Sequence, residues 1–206
     1  MAVTIENLVT SGTFSLDGGT WDVDNNVWIV GNDEECVIID APHDAAAIIN
    51  QVRSRKVKAI LLTHAHNDHI GAAREVADAL GAPILLNSED LVLWEQVYQD
   101  AKPDQYHADG DVFEVGGSTL RAIHTPGHSP GSTCFYLESE GTVFTGDTLF
   151  NGGPGATGRS YSDYPTILTS IREKLLTLPA ETVVRTGHGD NTTIAAERET
   201  LAKVAQ

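Results

Sequence analysis

The sequence predicts a mixed α/β (α+β) fold in which strands lie in the middle and helices outside, as a four-layer αββα sandwich. Short apolar runs of strand length recur along the 206-residue chain, and segments with helical periodicity lie between them. Several of the strands end in turns that carry histidine or aspartate. Because neither a repeat nor a linker-like stretch divides the chain, we predict a single domain over residues 1–206.

The first half of the chain is predicted to open with strands and then to alternate between helices and strands. Lys58-Ala59-Ile60-Leu61-Leu62 is typical of a strand buried on both faces, because it is short and largely apolar. The stripe of Trp94 and Tyr98 is expected to lie in the core. The predicted strands are Thr4 to Val9, Val27 to Val30, Cys36 to Ile39, Lys58 to Leu62 and Pro83 to Leu86, and the helices run from about Asp44 to Arg53, from Ile70 to Leu80 and from Ser88 onward.

The second half is predicted to contain a run of strands, with two helices flanking the last one. This arrangement places strands in the middle of the molecule and helices at its surface. The strands are Val112 to Val115, Ser118 to Ile123, Thr133 to Leu137, Thr142 to Thr145 and Thr182 to Arg185, and the helices run from about Pro165 to Leu176 and from Thr193 to Val204.

The run Thr63-His64-Ala65-His66-Asn67-Asp68-His69 gathers three imidazoles and a carboxylate directly after a predicted strand. Imidazole and carboxylate groups suit Zn²⁺, Fe²⁺ or Mn²⁺. In an extended segment His64 and His66 project to one side, while Asp68 and His69 follow after the chain turns. One metal ion can therefore take the first pair, and a second ion can take the other.

Three further residues have the surroundings of metal ligands. His128 lies in the turn Pro126-Gly127-His128-Ser129-Pro130, Asp147 follows Gly146, and His188 lies between Gly187 and Gly189. Each falls at the carboxyl end of a predicted strand, where open sheets usually place their binding sites. The neighbouring glycines allow close approach of the backbone.

These motifs resemble those of the metallo-β-lactamase-fold hydrolases, and the chain is most similar to short, single-domain glyoxalase II (hydroxyacylglutathione hydrolase) proteins. The resemblance runs from about Gly31 to Gly189 and includes His124 to Ser132 and Gly146 to Phe150. It implies two divalent metal ions, with zinc expected and iron or manganese as alternatives. In the implied centre, one ion is held by His64, His66 and His128, the other by Asp68, His69 and His188, and Asp147 bridges them.

The implied centre predicts a hydrolase that needs no serine or cysteine nucleophile. Two cations that share a water lower its pKa toward neutrality and position a hydroxide for attack. Asp68 is predicted to orient the bridging hydroxide and to receive its proton, so Asp68 and Asp147 are the predicted catalytic residues.

The remaining histidines and Asp40 are assigned supporting or surface positions. Asp40 is expected to support a metal-bound histidine through the free ring N–H, to cap the following helix, or to do both. His43 and His107 are predicted to be surface residues. His124 is predicted to have a structural, hydrogen-bonded role.

The substrate side of the site depends on the resemblance alone. Only 18 residues follow His188, so the helical extension that holds glutathione in longer glyoxalase II enzymes is not matched. Arg159 and Tyr161 stand where family members place residues that contact the thiol portion of the substrate. Arg159 is predicted to bind a substrate carboxylate, and Tyr161 to donate a hydrogen bond.

Composition narrows the classes of partner. The formal charge of −16, from 13 basic and 29 acidic residues, argues against nucleic acid and anionic membranes as partners. No apolar run is long enough to cross a bilayer, and Met1 to Glu6 lacks a signal-peptide pattern, so a cytoplasmic location is expected. Cys36 and Cys134 are predicted to be buried free thiols. The oligomeric state is left open.

Other activities use similar ligands. A lactonase would require the same ligand set with a wider apolar pocket. A persulfide dioxygenase would use one iron ion with open positions for O₂. A β-lactamase usually lacks the bridging aspartate, and a non-catalytic metal-binding module would not need a complete two-metal set. We therefore predict a small-molecule thioester or ester as the substrate, and a thioesterase of a low-molecular-weight thiol as the activity.

Overall fold

The computed structural model describes residues 3–204, in which two six-stranded sheets lie face to face and helices cover their outer faces. The ends of the predicted domain over residues 1–206, namely residues 1–2 and 205–206, lie outside the described residues. No helix among residues 3–204 is long and apolar enough to cross a membrane.

The first sheet has its six strands in sequence order. Its first two strands form a long antiparallel hairpin, and its last four are parallel to one another. The strands are β1 (Thr4–Leu16), β2 (Gly19–Gly31), β3 (Glu35–Ile39), β4 (Lys56–Leu61), β5 (Ile84–Asn87) and β6 (Gln105–His107).

The second sheet is formed by the later part of the chain, in the order β14-β13-β10-β9-β8-β7. Its strands are antiparallel except for the parallel pair β10 and β13. Its strands are β7 (Val112–Val115), β8 (Ser118–His124), β9 (Thr133–Leu137), β10 (Thr142–Gly146), β13 (Val183–Thr186) and β14 (Thr192–Thr193), and β11 (Leu149–Phe150) and β12 (Gly153–Pro154) form a separate small hairpin.

Helices cover the outer face of each sheet. Those of the first half pack on the first sheet, and those of the second half pack on the second sheet. The helices are α1 (Ala45–Val52), α2 (Asn67–Ile70), α3 (Ala73–Leu80), α4 (Leu91–Val97), α5 (Tyr164–Ser170) and α6 (Ile194–Val204), with a 3₁₀ turn at Ser88–Asp90 before α4, another at Glu138–Glu140, and a π-helical stretch at Ile171–Leu175 after α5.

Three separate apolar clusters show that the molecule has four layers. The first cluster joins the first sheet to its helices and contains Ile48 and Trp94. The second lies between the two sheets and contains Leu61 and Phe144. The third joins the second sheet to its helices. The predicted αββα sandwich is therefore confirmed, as is the core position of Trp94, against which Tyr98 packs.

The helix predicted from Ile70 to Leu80 is interrupted between Ile70 and Ala73. Ala41 explains the interruption, because it forms two backbone hydrogen bonds there. Its N–H donates to the carbonyl of His69 at 2.9 Å, and its carbonyl accepts from the N–H of Ala72 at 2.9 Å. These bonds hold the turn that carries His69 against the end of β3.

His107 is not a surface residue, so that prediction was wrong. It ends β6, is only 3% exposed, and its Nε2 lies 3.1 Å from the carbonyl oxygen of Leu62. Its ring packs edge-on against Phe113 and Phe135. The two cysteines, Cys36 and Cys134, are buried and free, as predicted.

Candidate metal centre

All seven predicted ligands meet at one edge of the sandwich, where strands of both sheets end. The connection after β4 supplies four of them, partly through the short helix α2. The ends of β8, β10 and β13 supply the other three. The seven residues are His64, His66, Asp68, His69, His128, Asp147 and His188.

The first group consists of His64, His66 and His128, which are all buried. Nδ1 of His66 lies 3.0 Å from Nε2 of His64 and 3.0 Å from Nε2 of His128. The three rings stand nearly perpendicular to one another, with interplanar angles of 83–86°. Three imidazole nitrogens therefore converge on one small volume, which is the arrangement of a three-histidine metal site.

The second group consists of Asp68, His69 and His188. Nε2 of His188 lies 3.2 Å from Nε2 of His69 and 3.3 Å from Oδ2 of Asp68. Nε2 of His69 lies 3.5 Å from the same carboxylate oxygen. These three atoms, two imidazole nitrogens and one carboxylate oxygen, form a nearly equilateral triangle of potential metal ligands.

The carboxylate of Asp147 lies between the two groups. Its Oδ1 is 3.2 Å from Nε2 of His69, and its Oδ2 is 3.5 Å from Nε2 of His128 and 3.4 Å from Nε2 of His188. Gly187 leaves room for this carboxylate, because a Cβ at residue 187 would lie only 2.4 Å from Oδ1 of Asp147. The geometry thus allows one carboxylate to serve two ions.

Hydrogen bonds on the far side of three rings fix their orientation. Nδ1 of His69 lies 2.8 Å from Oδ2 of Asp40, Nδ1 of His128 lies 2.8 Å from the carbonyl oxygen of Ala156, and Nδ1 of His188 lies 2.7 Å from that of Asp24. Since the acceptors hold a proton on Nδ1, each ring in its neutral form presents the lone pair of Nε2 to the site.

Asp40 lies beside Nδ1 of His69, where its predicted support of a metal-bound histidine requires it. Besides His69, it accepts hydrogen bonds from Thr63, at 2.8 Å from the backbone N and 2.7 Å from Oγ1. It does not cap the following helix. Asp44 caps α1 instead, accepting from the N–H of Ala47 at 2.9 Å.

The pKa values of the clustered histidines are shifted by burial and by the neighbouring charges. Burial lowers the pKa of His69, but the charges of Asp147, Asp68 and Asp40 outweigh burial and hold that pKa well above its ordinary value. Asp147 and Asp68 likewise outweigh burial and raise the pKa of His188 to about 10. Burial, followed by the neighbouring histidines, holds the pKa of His64 well below its ordinary value. The second group therefore attracts a cation, either a proton or a metal ion.

Strand β2 contributes residues that the sequence analysis missed. Asn26 donates from its Nδ2 to the carbonyls of Thr186 and Gly189, at 3.1 and 3.0 Å, and its N–H donates to the carbonyl of Gly187 at 2.8 Å. The first sheet thereby holds the loop of His188, which belongs to the second sheet. No local pattern around Asn26 pointed to these contacts.

Asn25 is the second residue missed. Its side chain is fully buried, and Nδ2 lies 3.0 Å from Oδ2 of Asp68. Its Oδ1 lies 2.8 Å from Nε2 of His43. His43 is therefore half-buried beside the ligands, and its predicted surface position was wrong. His124 does form the predicted type of hydrogen bond, with Nε2 2.8 Å from the carbonyl oxygen of Pro130.

A cavity of about 480 Å³ opens onto both groups of ligands. Its outer wall is apolar and aromatic and includes Phe14, Trp21 and Phe150. Arg159 also lines it, with its guanidinium carbon 3.8 Å from the centroid of the Trp21 ring. Tyr161 is 47% exposed and is not among the lining residues, so the structure does not place it with Arg159 in the cavity.

The family model of the metallo-β-lactamase superfamily matches residues 20–188, which include every predicted ligand. The chain belongs to the metallo-β-lactamase superfamily. Members of this superfamily bind divalent metal ions, and the His/Asp clusters of this chain have the donor chemistry for them.

Relatives within the superfamily differ in their described activities. The hydroxyacylglutathione hydrolase GloC of Haemophilus influenzae is 34% identical over 182 residues, which cover 81% of this chain and 86% of GloC. A B3 metallo-β-lactamase, BLEG-1, has a solved structure with a TM-score of 0.78 and 34% identity, covering 92% of this chain and 97% of that one. TTHA1623 in a di-iron-bound form has a TM-score of 0.75 and 31% identity, covering 93% and 98%.

The residues of this superfamily member fit a bound cation. As neutral rings with the proton on Nδ1, His69 and His188 would bring two Nε2 lone pairs within 3.2 Å of each other, and these repel unless a cation lies between them. Oδ1 of Asp68 is buried and has no hydrogen-bond partner within residues 3–204. A buried carboxylate oxygen of this kind is costly unless a cation compensates it.

Proposed function

We propose that this protein is a binuclear metal-dependent hydrolase that cleaves the thioester of a low-molecular-weight thiol, as glyoxalase II enzymes do. The position of Asp147 carries the proposal, because its carboxylate oxygens lie 3.2–3.5 Å from histidines of both ligand groups. His64, His66 and His128 would hold one ion, Asp68, His69 and His188 the other, and Asp147 both.

Two divalent cations would supply a water of lowered pKa and would polarise the substrate carbonyl. Asp68 would orient that water and accept its proton, because its Oδ1 is buried and without a hydrogen-bond partner within residues 3–204, while its Oδ2 lies beside His69 and His188. Zinc is the proposed metal, with iron or manganese as alternatives, since a His/Asp ligand set serves all three. Iron is kept as an alternative because the solved structure of TTHA1623 is a di-iron-bound form.

The cavity supports a substrate that has both an apolar part and a negative charge. Arg159 is its cationic lining residue, and stacking on Trp21 fixes the guanidinium plane. A hydrogen bond from the N–H of Ser160 to Asp17 Oδ2, at 2.9 Å, ties the Arg159 loop to the hairpin of β1 and β2. Arg159 would thus bind a substrate carboxylate at a fixed place, whereas the exposed Tyr161 would act only if its loop turned inward.

The likeness to GloC supports thioester hydrolysis. A thiol carrier of this kind belongs to a reducing compartment, so the cytoplasm is the location that fits the proposed substrate. The lactonase alternative draws on the apolar wall of the same cavity, and the dioxygenase alternative draws on the three-histidine group taken alone.

The test is a comparison of substrates on protein whose metal content has been measured. S-lactoylglutathione and an acyl-homoserine lactone are assayed under identical conditions, and oxygen uptake is followed with glutathione persulfide. We expect thioester turnover with a kcat/KM at least a hundredfold above that for the lactone, and no oxygen uptake. Faster lactone opening would overturn the proposal in favour of a lactonase, and oxygen uptake with one iron per chain would favour a dioxygenase.

A further inference from the structure

We propose that His43 is a positioning residue: it holds the carboxamide of Asn25 so that the NH₂ group faces the second ligand group, Asp68, His69 and His188. The inference deepens the proposed function, because it rests on the same metal centre. It concerns how strongly the second ion is held, which can be measured without a substrate.

The amide of Asn25 lies beside all three ligands of the second group. Its Nδ2 lies 3.0 Å from Oδ2 of Asp68, 3.2 Å from Nε2 of His69 and 3.4 Å from Nε2 of His188. Of these atoms, the carboxylate oxygen is the natural acceptor for the amide N–H. A hydrogen bond to Oδ2 orients the carboxylate of Asp68, whose Oδ2 is the oxygen that lies beside His69 and His188.

Two neighbours set the direction of the Asn25 amide. Turning it by 180° would place its oxygen against the carboxylate of Asp68, where the two oxygens would repel each other. The turn would also break the present hydrogen bond, in which Nε2–H of His43 donates to Oδ1 of Asn25 at 2.8 Å. His43 thus holds the oxygen end of the amide while Nδ2 faces the metal centre.

The local backbone accommodates the His43 ring at two positions. His43 has a φ of 48°, in the left-handed region that non-glycine residues rarely adopt. The ring lies against β1 at Gly12, where a Cβ would be 2.2 Å from Nδ1 of His43. A strained backbone at one residue and a missing side chain at the other both serve to bring this ring to Asn25.

Among residues 3–204, the hydrogen-bond partner of the His43 ring is Asn25. The helix that follows is capped by Asp44 and does not need His43. The ring of His43 instead contacts a buried amide that itself contacts three candidate ligands. Orientation of the Asn25 amide therefore accounts for the position of the His43 ring.

The experiment is a titration of metal-stripped protein with Co²⁺, in which the d–d absorption bands and competition with a chelator give the two affinities. His43→Gly suits the backbone, because glycine accepts a φ of 48° without strain. We expect the Co²⁺ ion at the second ligand group to bind at least tenfold more weakly, with the affinity of the three-histidine group unchanged. Asn25→Ala should have the same effect, and the double variant should be no weaker than either single variant.

Arg53→Gly is the matched control. Arg53 also has a positive φ, of 60°, but its side chain is 69% exposed and lies outside the metal centre. It should leave both affinities unchanged. If His43→Gly fails to fold, His43→Asn replaces it, because asparagine tolerates this φ and its side chain is too short to reach Asn25.

An unchanged second affinity in the His43 variant would overturn the proposal, as would equal weakening of both sites. Additive losses in the double variant would show that His43 does not act through Asn25, and would overturn it as well. A failure of the thioesterase proposal is a separate result, because it would show in the substrate assay and leave the Co²⁺ titration unaltered.

Discussion

The Nδ1–H of His69 donates to Oδ2 of Asp40 at 2.8 Å, and the same carboxylate accepts two hydrogen bonds from Thr63. Asp40 therefore connects the end of β3, the residue that precedes the first ligand, and a ring of the second ligand group. Both His69 and Asp40 are almost completely buried, at 0% and 2% exposed. A buried charge of this kind orients the ring and increases its basicity toward a metal ion.

We predict that Asp40→Asn weakens the second metal site by about ten- to a hundredfold, the usual effect of losing such a partner. Asparagine suits the φ of 61° at this position, so the backbone should not change. Metal content after dialysis against a graded chelator series checks this. Asp44→Asn, at the cap of α1, is the control, and a full complement of two tightly bound ions in Asp40→Asn would contradict the role given to Asp40.

Asp147→Ala is expected to lose most of the second metal ion and most of the activity together. Its carboxylate is the group that lies within 3.5 Å of both sets of histidines. Elemental analysis and turnover are measured on the same preparation. Full activity with one ion per chain would show that Asp147 does not bridge.

Arg159→Ala is expected to raise the KM for an anionic thioester about ten- to a hundredfold and to leave kcat nearly unchanged, because a hydrogen bond to a charged group contributes about 1.5–3 kcal/mol. A neutral thioester without the carboxylate should not distinguish the variant from the parent. Arg121→Ala is the control, since Arg121 lies over Tyr136 on the second sheet and outside the cavity. An unchanged KM for the anionic substrate would remove Arg159 from the site.

His107 should contribute a defined share of the acid lability of the fold. Burial lowers its pKa to about 4, so the folded state favours the neutral ring. Its contribution to stability is complete above the unfolded pKa of about 6.5 and is lost as the pH falls toward 4. The loss between pH 7 and pH 5 amounts to about 2 kcal/mol.

The check is urea unfolding of the parent and His107→Phe at both pH values. Phenylalanine keeps a ring between Phe113 and Phe135 but cannot titrate. The variant should be less stable at pH 7, because it leaves the Leu62 carbonyl without its donor, and should lose less stability on acidification. Equal losses in both proteins would show that His107 is not responsible.

The convergence of the candidate metal ligands could be predicted from sequence because their signal is local. His64, His66, Asp68 and His69 lie within six residues, and the other three ligands each follow a recognisable strand. The carboxyl ends of strands then bring them together. The four-layer fold could be predicted for the same reason, since each strand and helix carries its own pattern of apolar residues.

The length of the first hairpin was underestimated, although one local signal was present. Asp17-Gly18 is a two-residue turn between Leu16 and Gly19, and both of its residues have positive φ, of 52° and 78°. Such a dipeptide is the strongest short signal for a hairpin. Many residues near the turn are exposed, so the apolar alternation that identifies strands is weak there.

The roles of Asn25 and His43 could not be predicted from sequence. Asn25 contacts Asp68, 43 residues away in sequence, and His43 reaches it only through an unusual backbone conformation. Neither residue lies in a recognisable ligand pattern. Their contacts depend on the pairing of distant strands, which no local composition encodes.

Activity measured against metal content tests most directly whether two metal ions act together on a thioester. Metal-stripped protein is reconstituted with zero to three equivalents of Zn²⁺, and S-lactoylglutathione hydrolysis is measured at each step. We expect little activity up to one equivalent, a steep rise between one and two, and a plateau at two. Full activity at one equivalent would contradict the joint action of two ions.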